Sequence, residues 1–446
     1  MDERTPNWGI SPVPERLRVL GTLDLTLLWG SLGVSLLVVV AGALLVPTLS
    51  LPQALLAILV GGVIGNAMLG AAGMIGADAR VPAMVVMRAP LGRNGSYLAT
   101  ALNVAQCLGW AIFELIVIAT AAAALSDRVF GFEARWAWTL VFGLVTVALA
   151  LMGPIGVVRE FLRRFGVWIV LASLVYLTWW ALDGADVAGL WNAPAEGGAS
   201  LWEGIDLVVA LTVTWIPLAA DYTRFARDRG GAFVGTAVGY FIPTLWMWSL
   251  GAILVLSRGL DDPVTLPAAV AAAGVGSALA LLAVTVDEVD EAFANAYSAA
   301  VSAQNVLTAV PQRVLVVAAA VAATAGALVL ELGSYTAFLY MLGSFFVPLA
   351  GVLFADWLVA GARYGEPEIF RAPPFRAGPV AAWLAGFALY QWLFPQGPSW
   401  WVELVERASP PDLGIGASLP SFAVAFVLGA AASYAARRAR PTSVPA

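Results

Sequence analysis

Long apolar segments recur along the whole chain and are separated by short polar stretches. Each segment is close to the roughly 20 residues that an α-helix needs to cross the hydrocarbon core of a bilayer. The pattern predicts twelve membrane-spanning helices, at residues 22–46, 54–77, 96–124, 136–154, 165–182, 204–220, 233–256, 277–307, 314–332, 335–360, 379–394 and 418–436. A further apolar stretch, residues 266–277, is rich in alanine and glycine and follows an Asp-Asp-Pro sequence, which predicts a short extracellular helix instead of a thirteenth span.

The composition agrees with a protein that crosses the membrane many times. Of the 446 residues, 61% are hydrophobic and 12% are charged, and the mean hydropathy is +0.85. A typical soluble domain has about 25% charged residues. The N-terminal segment has no apolar core before Leu20, so it is not expected to be a cleavable signal peptide. The net charge of −6 predicts no nucleic-acid partner, and no obligate protein partner is evident.

The chain contains no histidine, and Cys107 is its only cysteine. This excludes an intrachain disulfide, zinc or haem bound through histidine, and Ser-His-Asp catalysis. Carboxylates are therefore the expected proton carriers within the membrane. We predict that the protein is not an enzyme and that it has no organic cofactor.

The distribution of arginine predicts the orientation in the membrane. All 23 basic residues of the chain are arginines. With an intracellular N-terminus, 19 of them fall on the cytoplasmic side, whereas Arg128, Arg135, Arg258 and Arg407 fall outside. Cytoplasmic loops of membrane proteins carry such an excess of basic residues. We therefore predict a protein of the cell (inner) membrane with both termini in the cytoplasm.

Two predicted spans contain residues that interrupt helices. Span 1 carries Gly30 and Gly33 around Ser31, and span 6 carries Pro217. Interrupted helices at matching positions of two halves are typical of secondary transporters, because the unwound backbone supplies ligands for ions and substrate. Glycine and proline also ease helix packing in membranes, and this alternative stays open for either span alone.

Spans 1 and 6 are five apart, which predicts an inverted repeat of spans 1–5 and 6–10 followed by two extra helices. The predicted units are a cytoplasmic segment 1–21, the first repeat 22–182, an extracellular loop 183–203, the second repeat 204–360, spans 11 and 12 at 361–436 and a cytoplasmic tail 437–446. Spans 3 and 8 correspond in this arrangement. They also carry the most polar groups at mid-membrane depth.

Span 3 places Gln106, Trp110 and Glu114 on one helical face at a spacing of four residues, with Asn103 close by. The indole could stack on a flat polar heterocycle, while the amide and the carboxyl could bind its donor and acceptor edge. The alternative is a packing face on which both polar side chains bind neighbouring helices. The carboxyl at mid-membrane favours a binding face.

Span 8 contains four carboxylates in an apolar stretch: Asp287, Glu288, Asp290 and Glu291. An ionisable group near the middle of a membrane helix costs roughly 3 kcal/mol or more, so such a group indicates a functional site. Because four adjacent carboxylates repel one another, some must be protonated, hydrated or neutralised by a cation. The cluster therefore predicts a site that couples transport to Na+ or H+.

Two alternatives explain these acids differently. They could form a solvated extracellular helix end, but the remaining segment would then be short for a membrane span. They could also belong to a carboxylate-bridged metal enzyme, but the helical di-iron bundles need a Glu-x-x-His motif that this chain lacks.

Four segments resemble a known family. They are PAMVVMRAPLGRNGSYLATALNVAQCLGW at 82–110, WIPLAADYTRFAR at 215–227, NAYSAA at 295–300 and PLAGVLFADWLV at 348–359. The chain resembles the nucleobase:cation symporter family of purine-cytosine permease type. Within that family it is most similar to the probable hydroxymethylpyrimidine transporters and next to the cytosine permeases.

The resemblance implies an all-α polytopic membrane protein of twelve transmembrane helices, with a five-plus-five inverted repeat and two C-terminal helices. It implies inward transport of a base by alternating access with a cation. The family's stacking tryptophan matches Trp110, its polar residue one turn later matches Glu114, and Gln106 lies one turn earlier. Trp215, with Thr212 and Thr214 nearby, is the candidate for the aromatic residue of span 6.

The resemblance also implies a sodium site. Its span 8 ligands would be Asp287, Asp290 and Glu291, facing backbone carbonyls around Trp29, Gly30 and Gly33. The chain is acidic where relatives tend to carry small, hydroxyl or amide residues, so H+ is an alternative to Na+.

The predicted function is import of a small pyrimidine, 4-amino-5-hydroxymethyl-2-methylpyrimidine (a thiamine precursor) or a close analogue, coupled to Na+ or H+. A carboxyl such as Glu114 or Glu288 would bind the ring nitrogen and the exocyclic amine together. The predicted substrate-binding residues are Gln106, Trp110, Glu114, Trp29, Thr214, Trp215, Glu288 and Asn295. The alternatives are a permease for cytosine or another nucleobase, and a channel-like or receptor protein without coupled transport.

Overall fold

The computed structural model describes residues 9–156, 167–259, 270, 274–331, 335–410 and 413–438. In chain order the α-helices are α1 (Thr22–Ser31), α2 (Leu36–Ala43), α3 (Leu51–Ala79), α4 (Ala83–Val86), α5 (Arg88–Leu91), α6 (Ser96–Phe130), α7 (Arg135–Gly156), α8 (Val167–Leu182), α9 (Val187–Asn192), α10 (Leu201–Val213), α11 (Ile216–Thr223), α12 (Arg229–Arg258), α13 (Val275–Ala303), α14 (Gln312–Val329), α15 (Tyr335–Val359), α16 (Glu366–Phe370), α17 (Ala377–Leu393), α18 (Ser399–Glu406) and α19 (Ser418–Arg438). The described residues contain no β-strand beyond an isolated parallel bridge between Leu20 and Ala226.

A helix or a helix pair coincides with each of the twelve apolar segments, which confirms the all-helical membrane fold. Eight helices among the described residues are long and apolar enough to cross a membrane, and the pair α1 and α2 makes a ninth. The exact number of spans and the inverted repeat stay predictions. Most of the predicted short helix at 266–277 lies outside the described residues.

The helices associate in two groups. Spans 1, 2, 6 and 7 pack against one another, and they consist of α1, α2, α3, α10, α11 and α12. Spans 3, 4, 8 and 9 form the second group, with α6 against α13 as its most extensive contact and α7 and α14 packed beside them. The last three spans, α15, α17 and α19, pack together beside these groups. The predicted site residues lie on helices that face one another across the two groups.

Span 1 is interrupted as the sequence predicts. Helix α1 ends at Ser31 and α2 begins at Leu36, with a bend of 64° between them. The side chain of Ser35 accepts a hydrogen bond from the backbone N–H of Leu37 at 3.1 Å, and so caps the new helix. Gly33 lies in the linker against Pro243, where a Cβ atom would collide with the proline ring.

Helices α2 and α12 approach each other at two glycines. A Cβ atom added to Gly251 would collide with the carbonyl of Val39, and one added to Gly42 would collide with the backbone of Trp248. Two helix backbones can come this close only where side chains are absent. The second half of span 1 is therefore held against span 7 by glycine contacts from both helices.

Candidate functional site

The interruption of span 6 exposes a backbone carbonyl to span 3. Helix α10 ends at Val213, α11 begins at Ile216, and Pro217 has no N–H to continue the hydrogen-bond ladder. The N–H of Leu218 donates to Trp215 at 3.0 Å, so the Thr214 carbonyl accepts from Gln106 Nε2 instead, at 2.9 Å. The break in one helix thereby fixes a side chain of another.

A second amide supports this contact. Asn103 Nδ2 donates to the Pro217 carbonyl at 3.3 Å and to Ser302 Oγ at 2.9 Å. Gln106 Nε2 also donates to Asn103 Oδ1 at 2.9 Å. Both amides are buried, and Gln106 Oε1 makes no hydrogen bond within the described part of the chain. Gln106 can therefore still accept a hydrogen bond through its Oε1.

Glu114 and Asn295, two of the predicted substrate-binding residues, join span 3 to span 8. Glu114 is fully buried, and its Oε1 accepts from Asn295 Nδ2 at 2.8 Å. The same Nδ2 donates to the carbonyl of Glu291 at 3.2 Å. The Asn295 amide thus orients the buried carboxyl group of Glu114.

Trp29 is the centre of an aromatic cluster on the first helix group. Its ring is fully buried and meets Trp215 and Tyr222 edge to face, both at 5.8 Å between ring centroids. Tyr240 contacts Trp29 at 6.2 Å and Trp215 at 5.7 Å. Trp29 Nε1 is a buried donor with no acceptor among the described residues.

Trp110 lies on the second helix group and is half-buried. Its ring packs edge to face on Phe338 of α15, with 5.6 Å between the centroids. Phe338 also contacts Phe113 at 5.3 Å. This arrangement leaves one side of the indole against an aromatic partner and holds its plane in a fixed orientation.

The structure brings three pairs of predicted residues into contact: Gln106 with Thr214, Glu114 with Asn295, and Trp29 with Trp215. Thr214 makes its contact to span 3 through its backbone carbonyl, while its Oγ1 donates to Leu211 O at 2.7 Å. The side chain of Glu288 lies outside the described residues.

Sequence reasoning missed Tyr222, Tyr240 and Phe338. Tyr222 had a signal, because it follows Trp215 by seven residues and so returns to the same helical face. Tyr240 and Phe338 belong to spans 7 and 10, and nothing in their local sequence marks them. Their contacts depend on which helices pack together.

The described residues include part of the predicted cation site. Helix α13 runs without interruption from Val275 through Glu291 to Ala303, so the four acids lie within the helix and not at its end. Glu291 is buried, with 3% of its surface exposed. The side chains of Asp287 and Asp290 lie outside the described residues, and no cluster of three metal-binding side chains occurs among the residues described. Gly30 lies in the last turn of α1, and Gly33 lies in the linker that breaks span 1.

A sequence model of the protein family described as "Permease for cytosine/purines, uracil, thiamine, allantoin" matches residues 12–374. A search of curated proteins found no match. Among solved structures, the chain is similar to Mhp1, a nucleobase-cation-symport-1 family transporter, in a closed conformation with bromovinylhydantoin bound. The two chains are 19% identical, with 98% of this chain and 97% of that chain covered and a TM-score of 0.82.

Two further structures extend the comparison. The inward-facing conformation of Mhp1 is 18% identical, with coverage of 99% of this chain and 96% of that chain and a TM-score of 0.73. A Na+-coupled sialic acid symporter in a substrate-bound outward-open state is 10% identical, with coverage of 98% and 91% and a TM-score of 0.60. These likenesses extend over nearly the full length of the chain.

Proposed function

Because the chain belongs to the family of permeases for cytosine and purines, uracil, thiamine and allantoin, we propose that it imports a small pyrimidine by cation-coupled alternating access. Its family consists of membrane transporters and not of enzymes. The proposed substrate is hydroxymethylpyrimidine, a thiamine precursor. The observation that carries the proposal is the buried Glu114–Asn295 hydrogen bond, one helix turn from Trp110.

The chemistry of the buried polar atoms supports a heterocyclic substrate. Glu114 supplies a carboxyl group that can bind an exocyclic amine and an adjacent ring nitrogen as one planar pair. Gln106 Oε1 is a buried acceptor and Trp29 Nε1 is a buried donor, and neither has a partner among the described residues. A molecule with donors and acceptors around a flat ring would satisfy these groups, whereas a saturated apolar ligand would leave them unpaired.

The aromatic residues support the same class of substrate. Trp29, Trp110 and Trp215 lie on helices of both groups, so a flat ring between the groups would gain contact area and dispersion from indoles. Mhp1, in its closed conformation, has bromovinylhydantoin bound, and a hydantoin is also a flat heterocycle. We propose the same general position for the pyrimidine in this chain.

Coupling to Na+ or H+ belongs to the proposal as well. The break after Ser31 leaves backbone carbonyls without helical partners, and the buried Glu291 lies on span 8 one turn before Asn295. Carbonyl and carboxylate oxygens suit a sodium ion, and a carboxyl alone suits a proton. We propose that Asp287 and Asp290 complete this site and that both termini are cytoplasmic.

Ligand-induced thermal stabilisation of the purified protein tests the substrate. The panel would contain hydroxymethylpyrimidine, cytosine, uracil, thiamine, allantoin and adenine, each with and without sodium. We expect hydroxymethylpyrimidine to stabilise the protein at the lowest concentration. Stabilisation by cytosine alone would select the alternative substrate, and no stabilisation by any base would contradict the proposed function.

A variant connects this binding to the proposed site. In Trp110→Ala the stabilising pyrimidine should lose most of its effect, because base–aromatic stacking contributes about 1–3 kcal/mol. Trp400→Ala is the matched control, since this tryptophan is 66% exposed. Equal ligand responses in the two variants would place the substrate elsewhere.

A further inference from the structure

The second segment of span 6 is tied to one turn of span 8. Tyr222 Oη donates to the carbonyl of Ala294 at 2.9 Å and lies 3.1 Å from Ser298 Oγ. Arg224 Nη2 donates to Tyr297 Oη at 2.7 Å. All of these side chains are at most 1% exposed. These hydrogen bonds therefore join the first helix group to the second helix group.

Arg224 is placed in an unusual environment for a charged side chain. Its guanidinium lies 4.9 Å from the ring centroid of Phe225, and its Nε and Nη1 make no hydrogen bond within the described residues. No carboxylate of the described residues forms a direct ion pair with it, but the buried Asp221, three residues earlier, is close enough to interact with it electrostatically. A charge buried without a direct ion pair is costly, and separation of the helices would return the guanidinium to water. The Arg224–Tyr297 hydrogen bond is therefore one that can break and form again as the two helices separate and approach.

The same turn of span 8 reaches the proposed substrate site. Asn295, which binds Glu114, lies between Ala294 and Tyr297 in sequence. On the other side, the ring of Tyr222 contacts Trp29 at 5.8 Å between centroids. Both halves of the contact thus adjoin residues that are proposed to bind substrate.

The position along span 6 indicates which side of the site is closed. Arg224 follows Trp215 by nine residues, which is about 13 Å at a rise of 1.5 Å per residue, toward the end predicted to be cytoplasmic. Beyond it, the backbone of Leu20 pairs with Phe225 and Arg227. The Arg224–Tyr297 contact therefore lies between the proposed substrate site and the predicted cytoplasmic surface.

We propose that Tyr222 and Arg224 of span 6, with Tyr297 of span 8, form a latch that holds the cytoplasmic exit closed. The proposal rests on the proposed function, because an exit matters only for a transported substrate. Release of the substrate requires these helices to separate, and the Arg224–Tyr297 hydrogen bond opposes that separation. Loss of the tyrosine hydroxyl shifts the protein toward the open state even when no substrate is present.

Thiol labelling measures this opening. The reporter is Ser298→Cys in a Cys107→Ser background, because Ser298 is buried against Tyr222 and becomes accessible only when the two helices part. The reagent is a hydrophilic maleimide, added to purified full-length protein without ligand. Adding Tyr297→Phe should raise the labelling rate about tenfold or more, as expected for a lost hydrogen bond to a charged group.

Tyr364→Phe is the matched control. Its hydroxyl is also buried and donates to a charged group, Asp356 Oδ2, at 2.9 Å, but it lies outside the contact between α11 and α13. We expect this variant to label within about twofold of the background, because it leaves the latch intact. Equal rates in Tyr297→Phe and Tyr364→Phe would overturn the latch.

A second variant covers the case in which Tyr297→Phe does not fold. Arg224→Lys keeps the charge but cannot keep the planar guanidinium geometry, so it should also raise the labelling rate. An unchanged rate in a folded Arg224→Lys protein would overturn the proposal. Since no ligand is added, the labelling result is independent of the thermal-stabilisation test, so failure of the latch and failure of the proposed function can be told apart.

Discussion

At the residue scale, the shape of the Glu114 side chain and its charge can be tested separately, because the shape serves helix packing and the charge is proposed to bind substrate. Glu114→Gln keeps an oxygen that can accept from Asn295 Nδ2, so the packing of spans 3 and 8 should persist. It removes the negative charge, and a hydrogen bond to a charged group is worth about 1.5–3 kcal/mol. We therefore expect the affinity for the stabilising pyrimidine to fall about tenfold or more, measured by isothermal titration calorimetry.

The control for this prediction is Glu366→Gln, which makes the same change at an exposed carboxylate on α16. It should leave the affinity unchanged. If Glu114→Gln binds the pyrimidine as tightly as the control does, then the carboxyl group does not contact the substrate.

Individual site residues could be predicted from sequence where local spacing places them on one helical face. Gln106, Trp110 and Glu114 follow this rule, and in the structure Gln106 contacts span 6 while Glu114 contacts span 8. Thr214 shows the limit, because only the local backbone decides that its carbonyl faces span 3 while its hydroxyl binds its own helix. Phe338 could not be predicted at all, since its contact with Trp110 joins positions 228 residues apart.

At the element scale, the glycine contacts between α2 and α12 should control stability. In Gly251→Ala the new Cβ would collide with the Val39 carbonyl, and overpacking of this kind typically costs about 1–3 kcal/mol. We expect a lower melting temperature for the purified protein. Gly230→Ala is the control on the same helix, because only ordinary van der Waals contact awaits its Cβ. If Gly251→Ala melts at as high a temperature as Gly230→Ala, then α2 and α12 can move apart without a loss of stability.

The interruptions of spans 1 and 6 could be predicted because glycine and proline act on their own backbone. The structure confirms a bend of 64° in span 1. In span 6 the helix resumes after two residues, so the interruption is smaller. The close approach of Gly42 to Trp248 and of Gly251 to Val39 was not predictable, because it depends on which helix packs beside each glycine.

At the scale of the whole molecule, periodicity predicted the helices but not their association in two groups. Hydropathy is a property of each segment, whereas the pairing of spans 1, 2, 6 and 7 depends on contacts between distant parts of the chain. The arrangement places the proposed substrate contacts and the latch at one boundary. Motion of one group against the other would therefore change both together.

Cation coupling is a property of this whole assembly and can be separated from binding. Glu291→Gln removes one buried ionisable group from span 8 while leaving the backbone carbonyl that accepts from Asn295. If Glu291 takes part in coupling, proteoliposomes with this variant should exchange labelled pyrimidine across the membrane but should no longer accumulate it. Wild-type protein should accumulate the pyrimidine under an inward gradient of either Na+ or H+, because a cation gradient supplies the free energy.

The choice of gradient identifies the ion. Accumulation driven by sodium at equal pH on both sides would indicate Na+, and accumulation driven by an acidic exterior without sodium would indicate H+. Uptake by the wild type that ignores both gradients would contradict coupled transport. Full accumulation by Glu291→Gln would exclude this residue and leave Asp287 and Asp290 as the carboxylates to replace next, because they lie on the same helical face at a spacing of three to four residues.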